Sequence, residues 1–381
     1  MGGNEKAAVN HHARELDAGI DGAGDGTATD QPIPLINRLD EKPTTITVHD
    51  GADAPAAAIT HPDAGITKHE TVRVDGIDRD YWVHYPEGYN KNEKYPLVLM
   101  FNGYASKGPQ LGGTAAGGAG MEDLTGLSAK ADQEKFIVAY LDGNPDDHHT
   151  WNNGQWWFSK RNDVKFTGRV IDTLQETAPV DASRVYLVGF SQGASFVHRA
   201  VSEMPGRIAA IADVSGWMSG LEKPTTAGIP VIAMQSIDDP TVPYSGRQWW
   251  LTMKPEIYTS RHYREVNGMD GITPKVHIDH QRDGRMVKDR TYTNPDTGVE
   301  VRTVLVQKEG HVWFGGKGAE DSQINATNLI WDFFKKHQKG NPGGDRVPLG
   351  QQAEQPDAAD PEFNATTKPA DPVTYERRET Y

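Results

Sequence analysis

Arg184-Val185-Tyr186-Leu187-Val188-Gly189-Phe190-Ser191-Gln192-Gly193-Ala194 reads as a β-strand driven straight into Gly-x-Ser-x-Gly. In that setting the serine occupies a strained strand-to-helix turn with its hydroxyl exposed, the arrangement of a nucleophile elbow. Gly189 and Gly193 have a steric task, because a Cβ at either position would crowd the approach of strand and helix. Beyond the turn, Phe196, Val197, Ala200 and Val201 keep helical spacing over 194–204. The strand before and the helix after separate this pentapeptide from a chance match.

Working outward, short apolar runs at 69–74, 80–85, 95–101, 136–140, 209–214, 230–234 and 301–307 predict strands, and 121–131, 163–176 and 323–337 predict helices. Continuous apolar strands separated by helices imply an α/β fold, a mostly parallel sheet covered on both faces. Residues 1–65 are rich in Gly, Ala, Asp, Thr and Pro without apolar periodicity, and 341–381 carry prolines and few large apolar side chains. These compositions predict a flexible N-terminal extension and a disordered C-terminal tail around one catalytic domain at 66–340.

The 381 residues are ample for a large core. A net charge of −14 disfavours nucleic acid or an anionic membrane as the main partner. No run approaches the ~18 apolar residues of a membrane span, and the N-terminus lacks the apolar centre of a signal peptide. Lys6 stands where a myristoylation signal needs Ser or Thr. With no cysteine, thiolate nucleophiles and thiolate metal sites are excluded, while the compartment stays open. The pairs His11-His12 and His148-His149, and His277 with His280, lack a linked acidic pattern, so neither metal nor cofactor is expected. Gly-rich 112–120 lacks the Lys-Ser/Thr ending of a phosphate loop and reads as a mobile rim.

A serine nucleophile needs a histidine to take its proton and a carboxylate to orient that histidine. Both are expected downstream. Asp238 and Asp239 follow the strand at 230–234, and on residue chemistry either could be the acid. His311, in Gly310-His311-Val312-Trp313, follows the strand at 301–307. An oxyanion hole needs two backbone N–H donors: Gln192, directly after the nucleophile, and Tyr104, in the Asn102-Gly103-Tyr104 turn after 95–101, are the candidates. The order Ser, Asp, His along the chain is that of α/β-hydrolases.

Several further motifs stand in a fixed order: RDYWVHYPEGY from Arg79, TWNNG from Thr150, PVDASRVYLVGFSQGA from Pro179, RIAAIADVSG from Arg207, DDPTVPYSG from Asp238 and GHVWFGG from Gly310. Together, over about two-thirds of the chain, they resemble the poly(3-hydroxybutyrate) depolymerase and feruloyl esterase branch of the α/β-hydrolases. The resemblance implies Asp239 as the triad acid and His311 as the base. It also implies Trp151 and Asn152 near the substrate and Trp313 as a wall of its site. The implied activity is carboxylic ester hydrolysis through an acyl-enzyme, on a polyester such as a hydroxyalkanoate or on a feruloyl or acetyl ester of a polysaccharide. Secretion or a periplasmic location would follow from the family alone. The sequence departs from the family at Asn102, where a histidine usually stands, and at Gln235-Ser236-Ile237, where His-Gly-Thr is usual. Trp156, Trp157, Trp249 and Trp250 also fall in loops and could line a pocket or belong to the core. A serine peptidase or amidase on the same fold, and a non-catalytic polymer- or carbohydrate-binding protein, are the rival readings.

Overall fold

The computed structural model describes residues 62–104, 117–155, 158–204, 206–223, 228–248, 252–280 and 284–340. The expected terminal extensions before 62 and after 340, His11-His12, residues 112–116 of the glycine-rich stretch, Trp156-Trp157 and Trp249-Trp250 lie outside the described residues.

The described chain opens with a hairpin of β1 (Ile66–Val74) and β2 (Ile77–Tyr85). Its turn, Asp75-Gly76, holds φ at 50° and 82°, as a two-residue turn between right-twisted strands requires. Next come β3 (Tyr95–Phe101), α1 (Gly117–Thr125), α2 (Leu127–Glu134), β4 (Ile137–Leu141) and α3 (Asp163–Thr177). The strand β5 (Val180–Phe190) leads into α4 (Gln192–Glu203), then β6 (Ala210–Val214) and β7 (Val231–Ser236). A short ribbon, β8 (Arg247–Gln248) with β9 (Thr252–Met253), precedes α5 (Glu256–Val266). The described chain closes with β10 (Lys275–His280), β11 (Met286–Thr293), β12 (Glu300–Val306) and α6 (Ala326–Phe334).

Ten strands form one sheet in the order β1-β2-β4-β3-β5-β6-β7-β12-β11-β10. The six from β4 to β12 run parallel, while β1 and β2 on one side and β11 and β10 on the other are antiparallel. Along β3 the side chains alternate between two cores. Leu97, Leu99 and Phe101 pack with Phe166 and Val170 of α3 and Phe196 of α4, whereas Val98 and Met100 pack with Met121 of α1, Leu127 of α2 and Trp331 of α6. Burial of each such side chain contributes about 1.5–3 kcal/mol, and only a strand covered on both faces gains it at every position. All seven residues of β3 are buried.

The helix expected over 121–131 is two helices, because Gly126 at φ 64° breaks the run. Residues 117–120, expected as part of a mobile rim, form the start of α1. Among the described residues no helix is long and apolar enough to cross a membrane.

Candidate active site

The strand β3 leads on to β4 on one side, and the chain then crosses to β5 on the other. The carboxyl ends of β3 and β5 therefore flank a topological switch point, where open α/β sheets bind ligands. Phe101 and Gly189 stand in register there. Ser191 follows at φ 55° and ψ −121°, a sparsely populated conformation for a residue with a Cβ. The flanking glycines hold it. A Cβ on Gly189 would lie 2.4 Å from the Ala194 backbone, and one on Gly193 2.4 Å from the carbonyl oxygens of Phe101 and Asn102. The Ser191 amide donates to the Val214 carbonyl at 2.9 Å, which fixes the turn to β6.

Loops after β7 and β12 bring up the other two groups. His311 Nε2 lies 2.9 Å from Ser191 Oγ, and His311 Nδ1 lies 2.7 Å from Asp239 Oδ2. With Asp239 as a carboxylate, this network assigns the imidazole proton to Nδ1 and leaves Nε2 to accept from the serine hydroxyl. The second oxygen, Asp239 Oδ1, accepts from the amides of Thr241 and Val242, each at 2.8 Å. The Asp239 side chain is fully buried and that of His311 is 18% exposed, so the acid end of the array is closed and the imidazole reaches the surface. The Phe190 ring stacks on His311, centroids 5.2 Å apart. Asp238 turns the other way and accepts from the Lys308 amide at 2.8 Å, tying the loop after β7 to the histidine loop. The structure brings Ser191, His311 and Asp239 together and leaves Asp238 outside.

The segment after β3 lies against the serine: a Cβ on Gly103 would come within 3.2 Å of Ser191 Cβ. Tyr104 follows, 45% exposed. Asn102 is buried and braces this segment through its amide. Its Oδ1 accepts from Gly143 N at 3.1 Å, and its Nδ2 donates to the carbonyls of His149 at 2.9 Å and Gly103 at 2.7 Å. Gln192 opens α4, and its side chain pairs with both polar groups of the Trp151 backbone, Nε2 to O at 2.6 Å and Oε1 from N at 2.9 Å.

Two expected substrate contacts are corrected. Trp151 is wholly buried between Phe101 and Phe196, with Nε1 donating to Asn102 O at 2.9 Å. Trp313 is 1% exposed, with Nε1 on Thr327 Oγ1 at 3.0 Å. Both indoles have every polar and apolar surface already engaged, so they support the loops from beneath and do not form a wall. Asn152 likewise is taken up internally. Its backbone N donates to Asp163 Oδ2 and its Nδ2 to Arg161 O, while its two oxygens accept from Arg199 Nη1.

Sequence reading weighed His148 and His149 only as a metal pair, whereas their loop packs against Tyr104 and Asn102. Both histidines have left-handed φ, 50° and 55°, an unusual pair for residues other than glycine. His149 Nδ1 is held by Asp142 Oδ1 at 2.7 Å, a bond that raises the imidazole above its usual range. His148 stacks on Tyr104 with centroids 5.0 Å apart. The two imidazoles thus serve different neighbours. On β10, His277 and His280 differ in parity and point to opposite faces of the sheet. Among the described residues no three His, Asp or Glu side chains gather as a metal site.

The model of the Phospholipase/Carboxylesterase family matches residues 111–270, a stretch that includes Ser191 and Asp239. "Putative esterase NocK" of Nocardia uniformis subsp. tsuyamanensis is 29% identical over 300 residues, covering 71% of this chain and 83% of its own. The bifunctional acetylxylan esterase/xylanase XynS20E of Neocallimastix patriciarum is 24% identical over 72% of this chain. Feruloyl esterase B of Piromyces equi is 26% identical over 67% of it. The matches span only 37% and 44% of the length of these last two relatives. Among solved structures, acetyl xylan esterase from Aspergillus awamori matches over 70% of this chain and 99% of its own, with 13% identity and a TM-score of 0.48. The chain has the α/β-hydrolase fold and is similar to carboxylic ester hydrolases.

Proposed function

We propose that this chain hydrolyses carboxylic esters by forming an acyl-enzyme on Ser191, with His311 as general base and Asp239 as the carboxylate that orients it. One observation carries the reading: hydrogen bonds run unbroken from Asp239 through His311 to Ser191 on a strained turn at the switch point. A serine hydroxyl is a weak nucleophile at neutral pH, so His311 Nε2 takes its proton as Oγ attacks the ester carbonyl. Asp239 keeps the other proton on Nδ1 and stabilises the imidazolium that forms. The charge developing on the carbonyl oxygen is met by the backbone N–H groups of Gln192 and Tyr104. Gln192 suits this task because the first amides of α4 have no intrahelical acceptor and the helix N-terminus favours negative charge. His311 then returns its proton to the departing alkoxide. A water deprotonated by the same histidine attacks the acyl-enzyme and releases the acid.

The relatives named as acetylxylan and feruloyl esterases favour an acetyl or hydroxycinnamoyl ester of a polysaccharide over a polyester. Beside Ser191, the stacked rings of Tyr104 and His148 offer a flat surface to a ring of such a substrate. Residues 66–340 form the catalytic unit, since every site loop and all ten strands of the sheet fall within them.

The test is acid release from aryl acetates, methyl ferulate, acetylated xylan, 3-hydroxybutyrate oligomers and an anilide matched to one of the esters. Ester turnover well above that of the anilide, lost in Ser191→Ala, is the expected result. Equal turnover of the anilide, or activity that survives in Ser191→Ala, would refute the reading.

A further inference from the structure

A second array of carboxylate, imidazole and hydroxyl lies inside the molecule, outside the steps just described. Asp213 on β6, His198 on α4 and Tyr263 on α5 are all buried, the last two completely. Asp213 Oδ2 is 2.9 Å from His198 Nε2, and His198 Nδ1 is 2.9 Å from the Tyr263 hydroxyl. The remaining oxygen, Asp213 Oδ1, accepts from the Gly216 amide at 2.8 Å. The donors and acceptors balance. With Asp213 as a carboxylate, the protonated Nε2 donates to it and the tyrosine hydroxyl donates to Nδ1.

What this array holds is the short segment between its acid and Gly216. Val214 O receives the Ser191 amide at 2.9 Å, so this segment fixes the backbone of the nucleophile. Ser215, at φ 53°, sends its hydroxyl to Val312 O at 3.2 Å, so the same segment fixes the residue after His311. Gly216 packs on α4 so tightly that a Cβ there would lie 2.4 Å from Ala194 Cβ. The left-handed turn at Ser215 is strained for a residue with a side chain, and the Asp213 bond to Gly216 closes it.

We propose that Asp213, His198 and Tyr263 are positioning residues that set the distance between Ser191 and His311. The array acts through the turn at 214–216, which it locks between the nucleophile helix and the histidine loop. This inference rests on the proposed roles of Ser191 and His311. A misplacement of about 1 Å at the reacting atoms can cost ~100-fold in rate, so a modest slackening of the turn reaches the chemistry.

The test compares Asp213→Asn, Asp213→Ala and Tyr263→Phe with the wild type, with kcat expressed per active site titrated by an aryl phosphonate ester that labels a reactive serine. Titration removes any loss due to unfolded protein. Asparagine keeps an oxygen for the Gly216 amide, and its NH₂ can donate to the other histidine tautomer, whose Nδ1–H then faces the Tyr263 oxygen. Asp213→Asn is therefore expected to stay within about threefold of wild type and Asp213→Ala to lose about 10- to 100-fold in kcat, with KM little changed. Tyr263→Phe removes one terminal hydrogen bond and is expected to lose about threefold, which keeps the test decisive should Asp213→Ala not fold. Full kcat per titrated site in both Asp213→Ala and Tyr263→Phe would overturn the proposal and leave the array a packing feature. Loss in Asp213→Asn equal to that in Asp213→Ala would overturn it in favour of the buried charge. Failure of the phosphonate to label the wild type at Ser191 would instead overturn the proposed function.

Discussion

His311 and His198 each stand between a carboxylate and a hydroxyl, and of these two only His311 is exposed at the surface. His311 has Asp239 on Nδ1 and Ser191 on Nε2, at 2.7 and 2.9 Å. His198 has the reverse orientation, Asp213 on Nε2 and Tyr263 on Nδ1, both at 2.9 Å. Distances do not separate them. What differs is the setting: Ser191 sits on a strained turn at the carboxyl edge of the sheet beside Gly103, whereas His198 and Tyr263 are sealed in the core beneath α4 and α5. A phenol in the core reaches no carbonyl carbon, and its hydroxyl is spent on holding the imidazole. On the proposed function, the same three functional groups serve chemistry at the edge and, on the further proposal, alignment in the interior.

Ser191→Ala, His311→Ala and Asp239→Asn are each expected to lower kcat by roughly 10³-fold or more while circular dichroism is unchanged, and their losses should not add. Steady-state rates on an aryl acetate check this, and a variant of the three that keeps wild-type kcat would remove that residue from the set. Gln192→Ala is expected to lose about tenfold, because it keeps the backbone N–H but releases the buried polar groups of Trp151. The same variant should be ~1–3 kcal/mol less stable by urea denaturation. A loss as deep as that of Ser191→Ala would mean that the side chain acts directly in the reaction. Asp238→Asn should remain within about threefold, since asparagine still presents an oxygen to the Lys308 amide. If that change abolished turnover and Asp239→Asn did not, the acid would be Asp238.

The interior carries a further titratable group whose effect is on stability rather than on turnover. Glu256 lies at the head of α5, the helix that carries Tyr263, and both its carboxyl oxygens are buried without a hydrogen-bond partner among the described residues. Burial pushes it up to about 7, with the nearby Asp213 adding to the rise and Arg290 opposing it. A carboxyl raised in the folded state holds its proton more tightly there, so its favourable contribution is complete below 4.5 and is lost as pH climbs to about 7. Across that window the wild type is expected to lose up to about 1.4 kcal/mol per pH unit relative to Glu256→Gln. Urea melts of both proteins at intervals between these limits check it, and parallel stability curves would show that Glu256 is charged in the folded protein throughout.

Much of this arrangement was legible in the sequence, for identifiable reasons. The strand at 95–101 is apolar at nearly every position because helices cover both faces, and it matches β3 residue for residue. Gly189 and Gly193 announced the elbow through the same close contacts the structure displays. The choice of Asp239 over Asp238 needed the family resemblance, since two adjacent aspartates in a turn look alike until one is seen facing His311. Other parts were hidden. Helix α5 buries Glu256, Thr259, Ser260 and Tyr263, so its inward face is polar and gives no apolar stripe. Strand β10 is exposed at five of its six residues and half-buried at Ile278, so its alternation is weak. Trp151 and Trp313 were misplaced because a tryptophan beside a site motif serves equally as the floor under a loop, and only its burial tells the two apart. The buried array of Asp213, His198 and Tyr263 joins residues 65 positions apart, with no local motif to mark it.

The central claim, that Ser191 at the sheet edge is the acylated nucleophile, is tested most directly by trapping the intermediate. The enzyme is mixed with an activated aryl acetate, quenched in acid within the first turnover, digested and mapped by mass spectrometry. The expected result is one acetyl group on the peptide containing Ser191, absent in Ser191→Ala and formed far more slowly in His311→Ala, which lacks the base for the attack. Turnover of the ester with no acyl group on Ser191, or with the acyl group on another residue, would contradict it.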